Sequence, residues 1–212
     1  VAYPAGGEAM APVTDAALLR EVQERYNTGP EYFLYVGTLQ PRKNVGTLVR
    51  AFAALARNRV LPPQVRLVLT GKQGWLPDEL SRALAEADLG ERIVLPGYVP
   101  DTDLAALLSG AIAFVLPSWY EGFGLLVLEA MACRTPVICS NVSSLPEVAG
   151  DAGLLFDPHD VGALARAMER VYGEPDLRRT LVQRGEGRAV AFGWPRCAQQ
   201  VLTALQQAGS GV

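Results

Sequence analysis

The sequence is poor in the residues that form metal sites and disulfide frameworks. Its 3 cysteines (Cys133, Cys139 and Cys197) are odd in number and lack the spacing of a metal site. We expect them to be buried, reduced thiols, as in a cytoplasmic protein. With 1 histidine, His159, the chain excludes a histidine-rich metal site. We expect neither a metal nor another cofactor.

The chain also lacks excess charge and long apolar runs. A formal net charge of −3 gives no general attraction to nucleic acid or acidic membranes. No apolar run approaches the roughly 20 residues that span a bilayer. The first residues, Val1 to Gly7, lack the pattern of a signal peptide and an initiator methionine. We expect a piece of a longer cytoplasmic protein with no nucleic-acid partner and at most peripheral contact with the inner face of the membrane.

What the chain does contain is an alternation of short apolar runs and amphipathic stretches. The alternation predicts an α/β fold, a Rossmann-like doubly wound parallel sheet. The predicted strands are Tyr32–Val36, Val65–Thr70, Ile93–Leu95, Ile112–Leu116, Pro136–Ser140 and Gly153–Phe156. The predicted helices are Asn44–Arg57, Asp78–Ala87, Asp101–Ser109, about Gly122–Cys133, Asp160–Tyr172, Asp176–Arg184 and Arg196–Gln207. Residues 1–30, with a polar helical stretch at Asp15–Tyr26, are interpreted as a linker to a domain at 31–190.

The common strand order 3-2-1-4-5-6 would place a ligand beyond the carboxyl ends of strands 1 and 4, where the winding reverses. The loops that follow these strands are Gly37–Asn44 and Pro117–Gly124. They hold the most unusual chemistry in the chain. We therefore expect the functional site between them.

In the second loop, Gly122 and Gly124 are predicted to open a helix whose free N–H groups and dipole suit a phosphate. Glu129 follows Glu121 by eight residues, about 12 Å and about 80° apart on an ideal helix. The two carboxylates would then be too far apart for an acid/base pair, but they could bind hydroxyls at opposite ends of an elongated ligand. The alternative is an ordinary solvated helix.

In the first loop, Arg42 and Lys43 precede a helix for which Asn44 is the predicted cap. Two cations at this position could neutralise a diphosphate, and the guanidinium could bind it with two hydrogen bonds. The alternative is a pair of solvated loop charges. Gly37 would permit either a tight turn or close approach of a ligand.

These residues carry a family resemblance that runs from about Tyr32 to the C-terminus. The order of motifs resembles the retaining glycosyltransferases of the GT-B fold, family 4, of which this chain would be the C-terminal, donor-binding half. Residues 141–151 are similar to bacterial mannosyltransferase-like members that build O-antigen and other surface polysaccharides. The motifs are Gly37-Thr38, Arg42-Lys43-Asn44, Gly97-Tyr98-Val99, Glu121-Gly122-Phe123-Gly124, Glu129-Ala130-Met131-Ala132 and Thr135-Pro136-Val137.

The resemblance implies a role for each matching residue toward a nucleoside-diphosphate sugar, with GDP-mannose favoured. Arg42 and Lys43 would bind the diphosphate and stabilise its developing charge. Glu121 would bind hydroxyls of the sugar. Backbone N–H groups would contact the sugar and phosphates from Gly122, Phe123, Gly124 and Leu125.

The resemblance also implies a nucleoside site. Glu129 would bind the ribose, and the backbone near Tyr98 and Val99 would contact the base. Gly37 and Thr38 belong to the same donor site. The sequence departs from the family pattern at two positions, Leu126 in place of proline and Arg134 in place of glycine, and only the second puts the local turn geometry in doubt.

Other conspicuous residues are interpreted more simply. Asp101-Thr102-Asp103 matches the metal-binding motif of the other glycosyltransferase fold class, but it starts a helix and is predicted to cap it. His159 is predicted to be a turn residue. Trp119 and Tyr120 are expected to pack in the core or at the rim, and Lys72 could reach the phosphates.

The resemblance implies a second domain, on the N-terminal side, that binds a glycan or lipid-linked acceptor. The helix in residues 191–212 would pack toward that domain and would show an exposed apolar face here. The isolated domain would then be inactive in transfer. Two alternatives stay open: a stand-alone nucleotide-sugar-binding subunit, and a GT-B-like protein such as a sugar-nucleotide epimerase or glycan-binding module.

Overall fold

The computed structural model describes residues 10–71 and 78–209, so the Lys72 prediction lies outside the described residues. Six strands alternate with helices along these residues. The strands are β1 (Tyr32–Val36), β2 (Arg66–Thr70), β3 (Ile93–Gly97), β4 (Ala113–Leu116), β5 (Val137–Ser140) and β6 (Gly153–Phe156). The α-helices are α1 (Ala16–Arg25), α2 (Val45–Arg57), α3 (Asp78–Ala87), α4 (Asp101–Gly110), α5 (Leu125–Ala132), α6 (Leu145–Ala149), α7 (Val161–Gly173), α8 (Pro175–Ala191) and α9 (Trp194–Gly209).

The strands form one parallel sheet in the order β3-β2-β1-β4-β5-β6, which confirms the predicted fold and strand order. β1 pairs with β2 from Tyr32–Arg66 to Val36–Thr70, and with β4 at Phe33–Ala113 and Leu34–Phe114. These central strands are fully buried along nearly their whole length because helices cover both faces of the sheet. The winding reverses between β1 and β4, so a crevice opens at their carboxyl ends.

Helix α1 lies within the predicted linker and packs against α4. Its Val22 is buried, and Arg25 and Tyr26 both donate to Asp103 on α4, at 2.7 and 2.6 Å. The hydrogen bond from Tyr26, followed by that from Arg25, lowers the pKa of Asp103. The predicted capping role of Asp101 and Asp103 is therefore wrong: α4 begins at Asp101, its cap position is Pro100, and Asp103 instead joins two helices.

The structure differs from the predicted boundaries mainly toward the C-terminus. Short α6 was missed because five residues that include Pro146 show no helical period. α8 extends well past the predicted end at Arg184, because residues 185–191 include two glycines and show no apolar stripe that would predict a helix. α9 follows after two residues and exposes Trp194, Val201, Leu202 and Leu205.

Across the described ranges, no helix has both the length and the apolar character to cross a bilayer. The same residues contain no cluster of three or more histidine, cysteine or acidic side chains that could hold a metal.

Candidate functional site

The loops after β1 and β4 meet at the carboxyl edge of the sheet, as the topology predicts. The Trp119 N–H donates to the carbonyl of Arg42 at 2.9 Å, and Arg42 Nη1 donates to the carbonyl of Tyr120 at 3.3 Å. These bonds tie residues that are more than seventy positions apart in the chain. The predicted site is thus one continuous surface made of two loops.

A buried ion pair lies at the centre of this surface. Glu121 Oε1 accepts hydrogen bonds from Lys43 Nζ and from Ser118 Oγ, both at 2.6 Å. Lys43 is 8% exposed and Glu121 is 9% exposed. Arg42 lies further out, with Nη1 3.8 Å from Glu121 Oε2. Sequence reasoning expected both cations to face a ligand, whereas in this structure Glu121 already holds one of them.

Asn44 is the cap residue of α2, as predicted, but its side chain joins three segments instead of bonding to the first turn of the helix. Its backbone is in the left-handed region at φ 53°, and its side chain makes no capping bond to α2. Instead Nδ2 donates to the carbonyls of Pro117 and Pro158, each at 3.0 Å, while Oδ1 accepts from Thr47. Asn44 therefore fixes the start of α2 to the loops after β4 and β6, which positions the neighbouring Lys43.

The second loop enters helix α5 later than predicted. α5 begins at Leu125, so Gly122 lies before the helix and the ideal-helix spacing of Glu121 and Glu129 does not apply. Gly124 is the cap residue with φ 104°, and a Cβ there would lie 2.8 Å from Leu145 Cδ2. Within the described residues no side chain caps α5. The first N–H groups of α5 therefore have no partner within the helix and suit an anion.

A cavity of about 490 Å³ opens beside these loops and brings five predicted donor-site residues together: Gly37, Thr38, Tyr98, Val99 and Glu129. Val99 is buried at its base, whereas Tyr98 is mostly exposed. Sequence reasoning had not assigned the remaining lining residues to the site. These are Met10, Val36, Thr70, Gly71, Asp101, Leu104 and Leu126.

Gly71 allows the wall of this cavity to form. It has φ 154°, and a Cβ at this position would lie 2.0 Å from the carbonyl oxygen of Gly37. The preceding Thr70 accepts the Gly37 N–H at its carbonyl, and its hydroxyl donates to the carbonyl of Gly97 at 2.7 Å. The loops after β1, β2 and β3 are thereby held close together. The sequence signal that could have identified Gly71 is a glycine directly after the predicted strand Val65–Thr70.

Tyr35 supports the first loop from below. The hydroxyl donates to the carbonyl of Thr38 at 3.2 Å. Burial, and then the charge of Glu121, raise the pKa of Tyr35, so it stays a neutral donor. The sequence pattern does not indicate this role, because Tyr35 lies within an apolar strand.

Two aromatic residues form the outer rim. The Trp119 ring lies 4.3 Å from the ring of His159, which occupies the predicted turn, and Tyr120 is 62% exposed. The Phe123 ring packs edge-on against Phe192 at the end of α8, at 5.8 Å. Side chains from distant elements therefore brace both flanks of the second loop.

A larger cavity, of about 860 Å³, lies at the opposite edge of the sheet and contains none of the predicted site residues. Its arginines are already engaged: Arg134 pairs with Glu186 at 2.6 Å, and Arg178 donates to the carbonyls of Val171 and Tyr172. The cavity of about 490 Å³ is the better candidate because it is lined by the loop that carries Lys43 and by α5, the helix that follows the loop of Glu121.

Comparison with known proteins gives concordant results. The sequence profile of the family described as "Glycosyl transferases group 1" matches residues 20–188. O-antigen chain mannosyltransferase B of Escherichia coli is 41% identical over 199 residues, which are 92% of this chain and 51% of that protein. Glycogen synthase of Mycobacterium tuberculosis is 37% identical over 91% of this chain and 45% of that protein. The chain thus spans about half the length of these relatives.

Solved structures of glycosyltransferases have the same fold as this chain. Sucrose-phosphate synthase from Thermosynechococcus elongatus superposes with a TM-score of 0.78 at 32% identity, over 99% of this chain and 53% of that chain. HepE from Anabaena, solved with UDP and glucose, has the same fold at a TM-score of 0.81 and 21% identity, over 95% and 55% of the two chains. The fold is that of the GT-B glycosyltransferases. The chain belongs to the group 1 glycosyltransferase family.

Proposed function

We propose that this chain is the donor-binding domain of a retaining, family 4 glycosyltransferase that moves a hexose from a nucleoside-diphosphate sugar to a glycan or lipid-linked acceptor. The observation that carries the proposal is the cavity of about 490 Å³, which is lined by Gly37 and Thr38 of the first loop and by Leu126 and Glu129 of α5. The sequence identity between this chain and an O-antigen mannosyltransferase supports mannose as the transferred sugar. It also supports a role in the synthesis of lipopolysaccharide or another surface polysaccharide.

The cavity suits the nucleoside part of such a donor. Its buried and half-buried walls at Val99 and Leu126 offer apolar surface to a base, and the exposed Tyr98 ring stands at its mouth. Glu129 is half-buried on the first turns of α5, and a carboxylate there can accept both ribose hydroxyls. Gly37 and Thr38 would line the path toward the phosphates.

The loops beside the cavity suit the diphosphate and the sugar. The exposed guanidinium of Arg42 would turn toward a phosphate by giving up its 3.3 Å bond to the Tyr120 carbonyl. Lys43 has N–H donors beyond the one given to Glu121. Glu121 Oε2 would accept a sugar hydroxyl. Departure of the sugar leaves charge on the diphosphate, which the two cations would stabilise. The N–H groups that would assist them belong to Gly122, Phe123, Gly124 and Leu125.

Asp101 favours guanine over uracil. Its exposed carboxylate lines the cavity at the first residue of α4. Guanine presents two adjacent N–H donors, at N1 and N2, and a carboxylate accepts both. Uracil presents a single N–H between two carbonyl oxygens, which a carboxylate repels. GDP-mannose is therefore the favoured donor.

Transfer would require an acceptor-binding domain in addition to this chain, which covers about half the length of its glycosyltransferase relatives. The exposed apolar side chains of α9 would pack toward an acceptor-binding domain, and the enzyme would work in the cytoplasm at the inner face of the membrane. We expect this chain alone to bind the donor without transferring sugar.

Calorimetric titration with GDP-mannose, GDP, UDP-glucose and UDP tests the proposal. We expect saturable binding of GDP-mannose that weakens about tenfold in Glu129→Ala and more in Arg42→Ala/Lys43→Ala. Asp101→Asn should weaken GDP and leave UDP unchanged or improved. Ser81→Ala, an exposed change on α3, is the control. Binding that survives every site variant would contradict the residue assignment, and absence of all binding would contradict a donor site in this chain.

A further inference from the structure

Residues 141–147 contain two serines that bond to the main chain of the second loop. Ser143 Oγ accepts the N–H of Glu121 at 3.0 Å. The single O–H of Ser144 is shared between the carbonyl of Phe123 at 2.7 Å and that of Glu121 at 3.2 Å. The loop is therefore held by hydroxyl groups more than twenty residues further along the chain.

These contacts displace the local bonds that the same serines usually make. Ser144 is the cap residue of α6, a position where a serine side chain ordinarily accepts an N–H of the first helical turn. Here it makes no capping bond. Ser143 has a φ of 51°, an uncommon conformation for a residue with a side chain. Both serines thus give up local stability while their hydroxyls bond to the loop.

Together with the ion pair, the two serines bond to the side chain and to both backbone polar groups of Glu121. Lys43 and Ser118 bond to its carboxylate, Ser143 to its N–H and Ser144 to its carbonyl. Because the Glu121 N–H is already used, the loop N–H groups left for an anion lie further along, toward α5. Leu145 of α6 also contacts Gly124 closely, so α6 packs directly on the loop.

We propose that Ser143 and Ser144 are positioning residues that hold the second loop in the shape that binds the diphosphate and sugar of the donor. The proposal rests on the donor-binding function proposed above. It separates the site into two parts: the cavity, which binds the nucleoside and does not depend on the serines, and the loop, which does.

The test compares the wild-type chain with Ser144→Ala, Ser144→Thr and Ser143→Gly, with Ser81→Ala as the matched control. GDP-mannose and GDP are titrated by calorimetry, and guanosine by ligand-observed NMR. We expect Ser144→Ala to bind GDP-mannose five- to tenfold more weakly and guanosine as wild type does. Ser144→Thr, which keeps the hydroxyl, should restore binding.

Hydrogen exchange provides a readout that needs no ligand. Exchange at residues 121–124 should become faster in Ser144→Ala, and the Glu121 amide should lose protection in Ser143→Gly, which keeps φ near 51° accessible.

Two outcomes would overturn the inference alone. The first is that Ser144→Ala binds GDP-mannose as tightly as the wild type does, while Lys43→Ala binds it more weakly. The second is that Ser144→Ala loses affinity for GDP-mannose and guanosine equally, which would indicate that the whole domain is destabilised. If the wild type binds no nucleotide, the proposed function fails, and unchanged exchange at 121–124 would then overturn the positioning role as well.

Discussion

Breaking the Lys43–Glu121 pair should cost far more stability than breaking an ion pair on the surface. Both residues are less than 10% exposed, and their charged atoms are 2.6 Å apart. Removing one partner from a buried pair costs about 3–5 kcal/mol because the other charge stays buried without compensation. Arg42 Nη1, 3.8 Å from Glu121 Oε2, can compensate in part after Lys43→Met. We therefore expect a loss of about 3 kcal/mol in the free energy of unfolding, or roughly 6–12 °C in Tm.

Urea unfolding, followed by tryptophan fluorescence and circular dichroism, measures this loss. Glu121→Gln keeps an acceptor for Ser118 but leaves Lys43 buried without an anion, so it should cost a similar amount. The double variant Lys43→Met/Glu121→Gln removes both charges and should return to within about 1 kcal/mol of the wild type. Arg170→Met, which breaks the exposed Arg170–Glu174 pair, is the control and should cost less than about 0.5 kcal/mol. Single variants that each lose less than about 1 kcal/mol, with additive effects, would refute the reasoning.

Three further predictions address the cavity wall, the α1–α4 contact and the cysteines. Gly71→Ala should cost roughly 2–4 kcal/mol in urea unfolding, because the new Cβ would collide with the Gly37 carbonyl oxygen. Gly90→Ala is the control: Gly90 has φ 51° and open space around it, so the change should cost only about 1 kcal/mol in the free energy of unfolding. Equal losses in the two variants would show that the collision with Gly37 is not the cause. The pKa of Asp103 is lowered in the folded state, so its contacts stabilise α1 above about pH 4 and are lost as the pH falls through the folded pKa. Hydrogen exchange in α1 should accelerate at that point, and Asp103→Asn should abolish the pH dependence; an unchanged profile in the variant would exclude this carboxyl as its source. Burial raises the pKa of Cys133 to about 11 and that of Cys139 to about 12, so at pH 8 a thiol reagent should modify Cys197 first. Rapid modification of two or more thiols in the native chain would contradict this prediction.

The fold, and with it the meeting of the two loops of the candidate site, could be predicted from local patterns. A strand that is covered on both faces must be continuously apolar, so runs such as Tyr32–Val36 mark central strands without knowledge of their neighbours. Alternation with helices requires a parallel sheet, and the strand order then places the loops of Lys43 and Glu121 at the switch point.

Contacts between distant residues, in contrast, were decided only by the tertiary structure. No local pattern shows that Lys43 is buried against Glu121, or that the Ser144 hydroxyl bonds a carbonyl of Phe123 rather than its own helix. Asn44 holds the predicted cap position of α2, yet its side chain bonds to other segments, and Asp103 bonds to α1 instead of capping α4. Local propensity is a weak preference of about 1 kcal/mol, and a buried long-range hydrogen bond or ion pair of equal or greater strength overrides it. The sequence therefore determined which loops meet at the candidate site, and packing determined which of their polar atoms already have partners within the protein.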